Sequence, residues 1–150
     1  MKNLLIVFSL MTLFFVSSCK KDDTTATPTK PKKDILVSKT WLISEVTGSG
    51  ITAFNKTNAV GTNIYELGKV TLVFKADGIV TGTDNNGGAI SAKWTLSTDE
   101  TKINITGSGI TGVDGEKTIV VLTDTNFNIQ GMVTLPVFGT VDAVIKFVPK

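Results

Sequence analysis

Residues 69–96 read KVTLVFKADGIVTGTDNNGGAISAKWTL and contain three short stretches in which apolar and polar residues alternate. The stretches are separated by Ala76-Asp77-Gly78 and by residues 84–88, DNNGG. A period of two places the apolar side chains of each stretch on one face of a sheet. The Asx-Gly pairs favour the positive backbone angles of tight hairpins. Residues 69–96 therefore predict three antiparallel strands joined by two turns.

The same alternation continues on both sides of this meander. Further strands are predicted at residues 36–46, 101–107 and 116–123, followed by a long hairpin over 127–147 with Pro136 in its turn. Residues 51–65 leave two interpretations open, a strand with a long loop or a lid over one end. No helical periodicity is apparent beyond residue 19. About eight consecutive strands predict an all-β fold, a small antiparallel up-and-down β-barrel, with a β-sandwich as the alternative.

The N-terminus has the features of a secretory signal. Lys2 precedes the apolar residues 4–16, a run shorter than the ~20 residues of a membrane-spanning helix. The sequence Val16-Ser17-Ser18-Cys19 resembles the bacterial lipobox. The resemblance implies cleavage before Cys19 and acylation of that residue with fatty acyl chains such as palmitate. We therefore expect a lipoprotein signal peptide at residues 1–18 and a lipid anchor at Cys19, the only cysteine of the chain.

The residues after Cys19 predict a tether. Residues 20–34 are mostly Lys, Thr, Pro and Asp, and so bury too little apolar surface to order themselves. Within this segment, Lys21, Asp22 and Asp23 resemble a surface-export signal of some Gram-negative lipoproteins. We expect an acylated, disordered segment at residues 19–34, one folded domain at residues 35–150, and a lipid-anchored outer-membrane protein. Two orientations stay open: exposure on the cell surface, if residues 21–23 act as an export signal, or a periplasmic position, if they are only the solvated start of the tether.

The charge of the folded domain differs from that of the whole chain. Six of the 15 lysines and three of the 13 acidic residues precede residue 35, which leaves nine lysines and ten acidic residues in the domain. The domain is therefore close to neutral and has no basic strip of the kind that binds nucleic acid. Nucleic acid is not an expected partner.

Several kinds of chemistry are absent from the sequence. The chain contains no histidine and no arginine, so it has no Ser-His-Asp triad, no histidine metal site and no guanidinium clamp for phosphate. Residues 84–87 offer oxygen ligands, but they lack the acidic spacing of known calcium loops, and a hairpin turn explains them. We therefore predict no catalytic residues, no metal site and no cofactor.

Several short motifs together resemble the lipocalin-like domain of small bacterial lipoproteins. The motifs are Trp41, Phe74-Lys75-Ala76-Asp77-Gly78, Lys93-Trp94-Thr95-Leu96-Ser97 with Asp99, residues 101–105 (TKINI) and residues 144–147 (VIKF). The resemblance covers most of residues 36–148 and implies a small β-barrel and, by analogy, an apolar ligand. The chain departs from true lipocalins at Lys39, where those proteins carry glycine, and in ending with a strand rather than a helix.

Two sets of residues are candidates for binding. The inward parity of the strands collects five aromatic side chains that either line a ligand pocket or fill the core: Trp41, Phe74, Trp94, Phe127 and Phe147. The tip of the last hairpin, with Leu135 and Phe138, is either an exposed apolar surface for a partner or part of the core. The expected function is a non-catalytic, membrane-anchored binding module for a small apolar ligand. The alternative is a solid barrel whose loops bind an envelope protein.

Overall fold

The computed structural model describes residues 30–135 and 139–150, which form one short helix and nine strands. These are α1 (Lys32–Val37), β1 (Thr40–Gly48), β2 (Ile51–Asn55), β3 (Thr71–Phe74), β4 (Ile79–Thr83), β5 (Ala89–Leu96), β6 (Lys102–Thr106), β7 (Gly115–Leu122), β8 (Phe127–Leu135) and β9 (Gly139–Pro149). The meander predicted within residues 69–96 is confirmed as β3, β4 and β5. The turn between β8 and β9, predicted to contain Pro136, lies outside the described residues.

Eight of the strands close into an antiparallel barrel. Each strand from β3 to β8 pairs with the next one along the chain, and β1 pairs with both β3 and β9. Trp41 marks the closure, because it lies opposite Leu72 on β3 and opposite Pro149 on β9. Closure leaves no long open sheet edge. The predicted barrel is therefore confirmed, and the sandwich alternative is wrong.

The ninth strand, β2, extends the wall of the barrel beside β3. Along one edge of β1, residues Thr40–Leu42 pair with β3, and residues Glu45–Gly48 pair with β2. Between β2 and β3 the chain leaves this edge and folds back on β2. The hydrogen bond from Tyr65 N to Ala53 O, 3.1 Å long, joins the returning loop to β2. Residues 51–65 are thus a short strand followed by a loop that covers the strand's outer edge.

The core fills the barrel from end to end. We call the end at which β1 begins the lower end, and the opposite end the upper end. The turns at residues 75–78, 97–101 and 123–126 lie at the lower end, and those at residues 49–50, 84–88 and 107–114 lie at the upper end. Between them, alternate strand residues point inward and are buried, among them Ile43, Leu72, Ile103, Ile105, Ile129 and Ile145.

The helix α1 closes the lower end and corrects the prediction that a strand begins at residue 36. Ile35 and Leu36 are adjacent and both are buried. On a strand they would point to opposite faces, whereas one helical turn brings both under the barrel. The indole Nε1 of Trp41 donates to Leu36 O at 3.0 Å and holds this turn against the core. In the described residues, the first element therefore starts at Lys32, three residues before the predicted domain boundary, and β1 starts only at Thr40.

Candidate functional site

The five aromatic residues predicted to bind a ligand form one cluster in the lower half of the barrel. They come from five strands: Trp41 (β1), Phe74 (β3), Trp94 (β5), Phe127 (β8) and Phe147 (β9). All five are buried. The strand parity that selected them from the sequence therefore brings them together.

Within the cluster the rings contact one another. The ring centroid of Phe127 lies 5.0 Å from that of Phe147, 5.5 Å from that of Trp41 and 5.9 Å from that of Phe74. Trp94 completes the cluster edge-on to Phe74 at 5.1 Å, and its Nε1 donates to Lys75 O at 3.0 Å. These spacings are typical of packed aromatic pairs. The five side chains therefore pack against one another in the lower half of the barrel.

A groove on the outside of the lower end lies next to Trp94. It has a volume of about 440 Å³ and opens to solvent between the turns that follow β3 and β5. Its lining mixes charged, polar and apolar side chains: Lys33, Ala76, Asp77, Gly78, Trp94, Thr95, Leu96, Ser97, Thr98 and Glu100. The volume is within the range of small-ligand sites, although most such sites are more apolar.

Glu100 joins this groove to α1. Its backbone is left-handed, with φ of 53°, a conformation that residues other than glycine adopt rarely. Its carboxylate accepts a hydrogen bond from Lys32 N at 3.3 Å, and its backbone O accepts one from Lys32 Nζ at 2.7 Å. The turn between β5 and β6 thereby holds the first residue of α1.

The carboxylate of the neighbouring Asp99 is held by hydrogen-bond donors of its own turn. It accepts hydrogen bonds from Ser97 Oγ at 2.6 Å, from Thr101 N at 3.1 Å and from Thr101 Oγ1 at 2.9 Å. These bonds, with the one from Ser97 as the largest contribution, lower the pKa of Asp99 to about 2. A carboxylate engaged in this way is a turn-stabilising group.

The tip of the last hairpin is only partly described. Phe138 lies outside the described residues. Leu135 points into the core with 4% of its surface exposed, as does Val133 on the same face of β8. Met132 is on the opposite face and is 59% exposed. The apolar group that this hairpin presents to solvent among the described residues is therefore Met132 rather than Leu135.

Lys117 is the one charged residue that is buried in the described part of the chain, and it is not among the residues expected from the sequence to bind. It lies on β7 on the same inward face as Ile119, and its surface is 5% exposed. Nζ donates to Asp114 O at 2.7 Å. Burial lowers the pKa of the Lys117 ammonium, and the charge of Asp114 opposes this effect. The signal was present in the sequence, since Lys117 alternates with Ile119 in the strand predicted at residues 116–123.

Above Lys117, residues 107–115 form a compact loop, which we call the upper loop. The Asp114 carboxylate accepts hydrogen bonds from Ser108 N and Gly109 N, both at 3.0 Å. Ile110 and Val113 are buried. A Cβ placed on Gly112 would lie 2.8 Å from Val133 Cγ1, so the loop backbone rests directly on β8. The upper loop therefore closes the upper end with its own side chains.

The N-terminal predictions, Cys19 as the lipid-attachment residue and Lys21, Asp22 and Asp23 as an export signal, lie outside the described residues. No group of three or more metal-ligating side chains occurs in residues 30–135 and 139–150. In the same residues, no helix is long and apolar enough to cross a bilayer. Neither a protein-family model nor a curated protein matches this sequence.

Proposed function

We propose that this protein is a lipid-anchored, non-catalytic binding protein of the outer membrane that acts through its outer surface. The anchor would be Cys19, acylated after removal of residues 1–18. The partner would be another component of the cell envelope. This is the second of the two functions considered from the sequence, and the packing of the barrel interior favours it over an apolar ligand among the aromatic rings.

The observation that carries the proposal is the aromatic cluster. Trp41, Phe74, Phe127 and Phe147 are at most 1% exposed, and the Phe127 ring contacts the other three. A ligand in this half of the barrel would have to displace side chains that already make close-packed contacts, and such displacement costs several kcal/mol. We therefore favour a partner that contacts the outside of the barrel over a ligand that binds inside its lower half.

A non-catalytic role is proposed because the chain has few side chains suited to acid–base or nucleophilic catalysis. Histidine and arginine are missing from the whole chain. Of the carboxylates, Asp99 and Asp114 accept hydrogen bonds from the backbone of their own turns. Glu116 pairs with Lys102 at 2.7 Å on the outer surface. These carboxylates already stabilise turns and strands.

The position of Lys30 suggests how the barrel would be presented at a membrane. Lys30 Nζ is 3.3 Å from Ser38 Oγ and 3.6 Å from Asp124 Oδ1, so the chain enters the domain at its lower end. The eleven residues from Cys19 to Lys30 reach at most about 40 Å when extended. An acylated Cys19 would thus keep the lower end near the bilayer and leave the upper end free. Export to the cell surface, directed by Lys21, Asp22 and Asp23, would turn that end outward.

Two exposed apolar residues outside the lower-end turns give places to look for a partner. Val60, in the loop after β2, is 91% exposed, and Met132 on β8 is 59% exposed. Val120, 50% exposed on the outer wall of β7, is a matched position at the side of the barrel. Exposed apolar side chains of this kind can mark the place where a partner binds.

The test is site-specific photocrosslinking in the native envelope. A benzophenone amino acid is placed at Val60, Met132 or Val120 of the full chain, and the Cys19→Ala chain is analysed in parallel. We expect a discrete adduct from Val60 or Met132, none from Val120, and release of the Cys19→Ala chain from the membrane fraction. Diffuse or absent adducts at all three positions would contradict a surface partner. A Cys19→Ala chain that stays in the membrane would contradict the anchor.

A small-molecule ligand remains the second candidate function, and one observation favours it. The buried Lys117 lies in the upper half of the barrel, away from the aromatic cluster, under a loop that contains four glycines of positive φ.

A further inference from the structure

Lys117 occupies a position that the barrel would be expected to give to an aliphatic residue. It is opposite Ile103 on β6 and two residues before Ile119, and both of these side chains are buried. Removing an ammonium group from water is unfavourable unless a partner compensates for the lost hydration. The pKa of Lys117 is lowered by this burial. Ionisable groups perturbed in this way are more common at functional sites than elsewhere.

The neighbouring strand is adapted to the lysine. Gly131 has the inward parity of β8, where Ile129 and Val133 point into the core. A Cβ at Gly131 would lie 2.7 Å from Cδ of Lys117 and 3.6 Å from its Cε. Any larger residue at position 131 would therefore push the lysine stem out of its place. The missing side chain of Gly131 provides the space in which Lys117 lies.

The Lys117 ammonium group has more N–H donors than hydrogen bonds to the described residues. An ammonium carries three N–H donors, and the hydrogen bond found for Lys117 Nζ goes to the backbone O of Asp114. The Asp114 carboxylate forms hydrogen bonds with Ser108 N and Gly109 N, and it is not within 4.0 Å of Nζ. In the described residues, Lys117 is therefore a buried cation without an ion pair, and its neutral partner belongs to the upper loop.

The upper loop contains four glycines with a left-handed backbone. Gly107, Gly109, Gly112 and Gly115 all have positive φ, between 68° and 90°, and glycine adopts such angles without the steric cost of a Cβ. Gly107 and Gly115 lie at the two ends of the loop. Between them, Ile110 and Val113 are the buried apolar residues that close the upper end. Rotation about the terminal glycines would withdraw these two side chains together.

We propose that Lys117 anchors a closed ligand site beneath the upper loop, and that this site takes a short apolar chain ending in a carboxylate. The ligand's carboxylate would replace the Asp114 carbonyl as the partner of Nζ, and its chain would occupy the space left by Ile110 and Val113. A charge-assisted hydrogen bond to a carboxylate is stronger than one to a neutral carbonyl, most of all in a water-poor interior. A phosphate dianion fits poorly, because one lysine leaves its second charge buried and unpaired.

The test is titration calorimetry of the full chain carrying Cys19→Ala, so that no detergent competes for the site. The probes are the linear carboxylates from butanoate to dodecanoate, with octan-1-ol as the neutral counterpart of octanoate. We expect at least one carboxylate of the series to bind and octan-1-ol to bind at least about tenfold more weakly. Lys117→Met keeps the length of the side chain without its charge. It should weaken carboxylate binding by about tenfold or more and leave octan-1-ol binding unchanged.

Lys102→Met is the matched control, because Lys102 is an exposed lysine on the adjacent strand, paired with Glu116. It should leave carboxylate binding unchanged. Amide hydrogen exchange gives a second readout, since Ile110 N donates to Ser108 Oγ and Val113 N to Ile110 O at 3.1 Å. Ligand should speed exchange at these two amides and leave β8 and β9 unchanged. No binding across the series, or equal carboxylate affinity in the Lys117→Met chain, would overturn the site. Binding with unchanged exchange would overturn the movement of the loop. Neither result bears on the membrane anchor or on a protein partner.

Discussion

The two halves of the barrel are closed by different means. The lower half is filled by the aromatic cluster and sealed by α1, whose Leu36 is fully buried and accepts the Trp41 indole hydrogen bond. The upper half is filled mainly by aliphatic side chains together with Phe54, and one buried lysine, Lys117, takes a position expected for an apolar residue. It is sealed by the upper loop, in which four glycines have positive φ. The aromatic side chains of the lower half are explained by packing. The buried lysine and the glycines of the upper half are not required by packing alone.

This difference bears on where function is expected. Large rings in mutual contact stabilise a single arrangement, since any change in ring position loses several contacts at once. The upper loop carries four glycines of positive φ, whose backbone can change conformation without the steric cost of a Cβ. We therefore assign the lower half to stability and propose binding for the upper end.

The largest expected effect is the loss of an aromatic ring from the lower half. Phe127→Ala removes the ring at the centre of the cluster and should destabilise the fold by about 3–5 kcal/mol. Phe54→Ala is the matched change in the upper half, since Phe54 is equally buried on β2 but has no aromatic neighbour among the described residues. Phe127→Ala should be the more destabilising by about 1 kcal/mol or more, the contribution of the ring pairs. Urea unfolding of both chains measures this difference. Equal losses would mean that the rings contribute only buried area.

The second effect concerns the upper loop. Gly112→Ala adds a Cβ that would lie 2.8 Å from Val133 Cγ1 and 3.4 Å from Ile145 Cδ1, at a residue whose φ is 80°. We expect a loss of about 2–3 kcal/mol from the strained backbone and the overpacked contact together. Gly50→Ala is the control, because Gly50 has a similar φ of 77° and nothing within 4 Å of the added Cβ. It should lose only about 1 kcal/mol. If both chains lose the same stability in urea unfolding, the upper loop does not pack on β8 and β9 as described.

Much of the fold could be predicted from the sequence, because strand parity and turn residues are local signals. Residues 69–96 gave three strands and two turns, and the same alternation located most of the others. The helix α1 was missed for a physical reason. Ile35 and Leu36 are one apolar pair after a polar segment, and six residues are too few to show a helical period. Their burial depends on the barrel end above them, which only the closed fold supplies.

The candidate site was less predictable. Parity identified the five aromatic residues but left core and pocket open, since the choice depends on ring positions across five strands. Whether Leu135 is exposed or buried was left open, because the length of the last hairpin decides which of its residues project beyond the end of the barrel. Lys117 was visible as a lysine in an alternating strand, yet its burial depends on Gly131 and on the upper loop, which lie 14 residues after it and directly before it in the chain.

The third effect is a gain in stability in the upper half. Lys117→Met removes the buried ammonium and should stabilise the fold at neutral pH by about 1 kcal/mol, even though the hydrogen bond to Asp114 O is lost. The pKa of Lys117 is lowered in the folded state, so above that pKa the unfolded chain binds more protons than the folded one. The stability of the parent chain should therefore rise toward the unfolded lysine pKa of about 10.4, and the advantage of the methionine chain should shrink. Urea unfolding from neutral to alkaline pH measures both trends.

Lys102→Met is the control for that pH dependence and should behave with the opposite sign. The hydrogen bond with Glu116, followed by the charge of Glu116, raises the pKa of Lys102. The contribution of Lys102 is therefore present below its unfolded pKa and is lost as pH rises through the folded value. A Lys117→Met chain that is less stable than the parent at neutral pH would show that the lysine is retained for stability, which would remove the reason to seek a ligand at the upper end.

The smallest effect returns to the lower half, where a polar turn supports the aromatic cluster from outside. Asp99 should titrate with a pKa of about 2 in carboxyl-carbon NMR, because Ser97 and Thr101 donate to its carboxylate. The folded pKa is below the unfolded value, so the stabilising contribution is present above about pH 4 and is lost as pH falls toward 2. Ser97→Ala removes the largest cause and should raise the pKa of Asp99, whereas Ser91→Ala, an exposed serine within β5, should not. A parent Asp99 that titrates near its ordinary value would mean that the 97–101 turn is loosely formed, and the lower end would then be less firmly closed than the upper one.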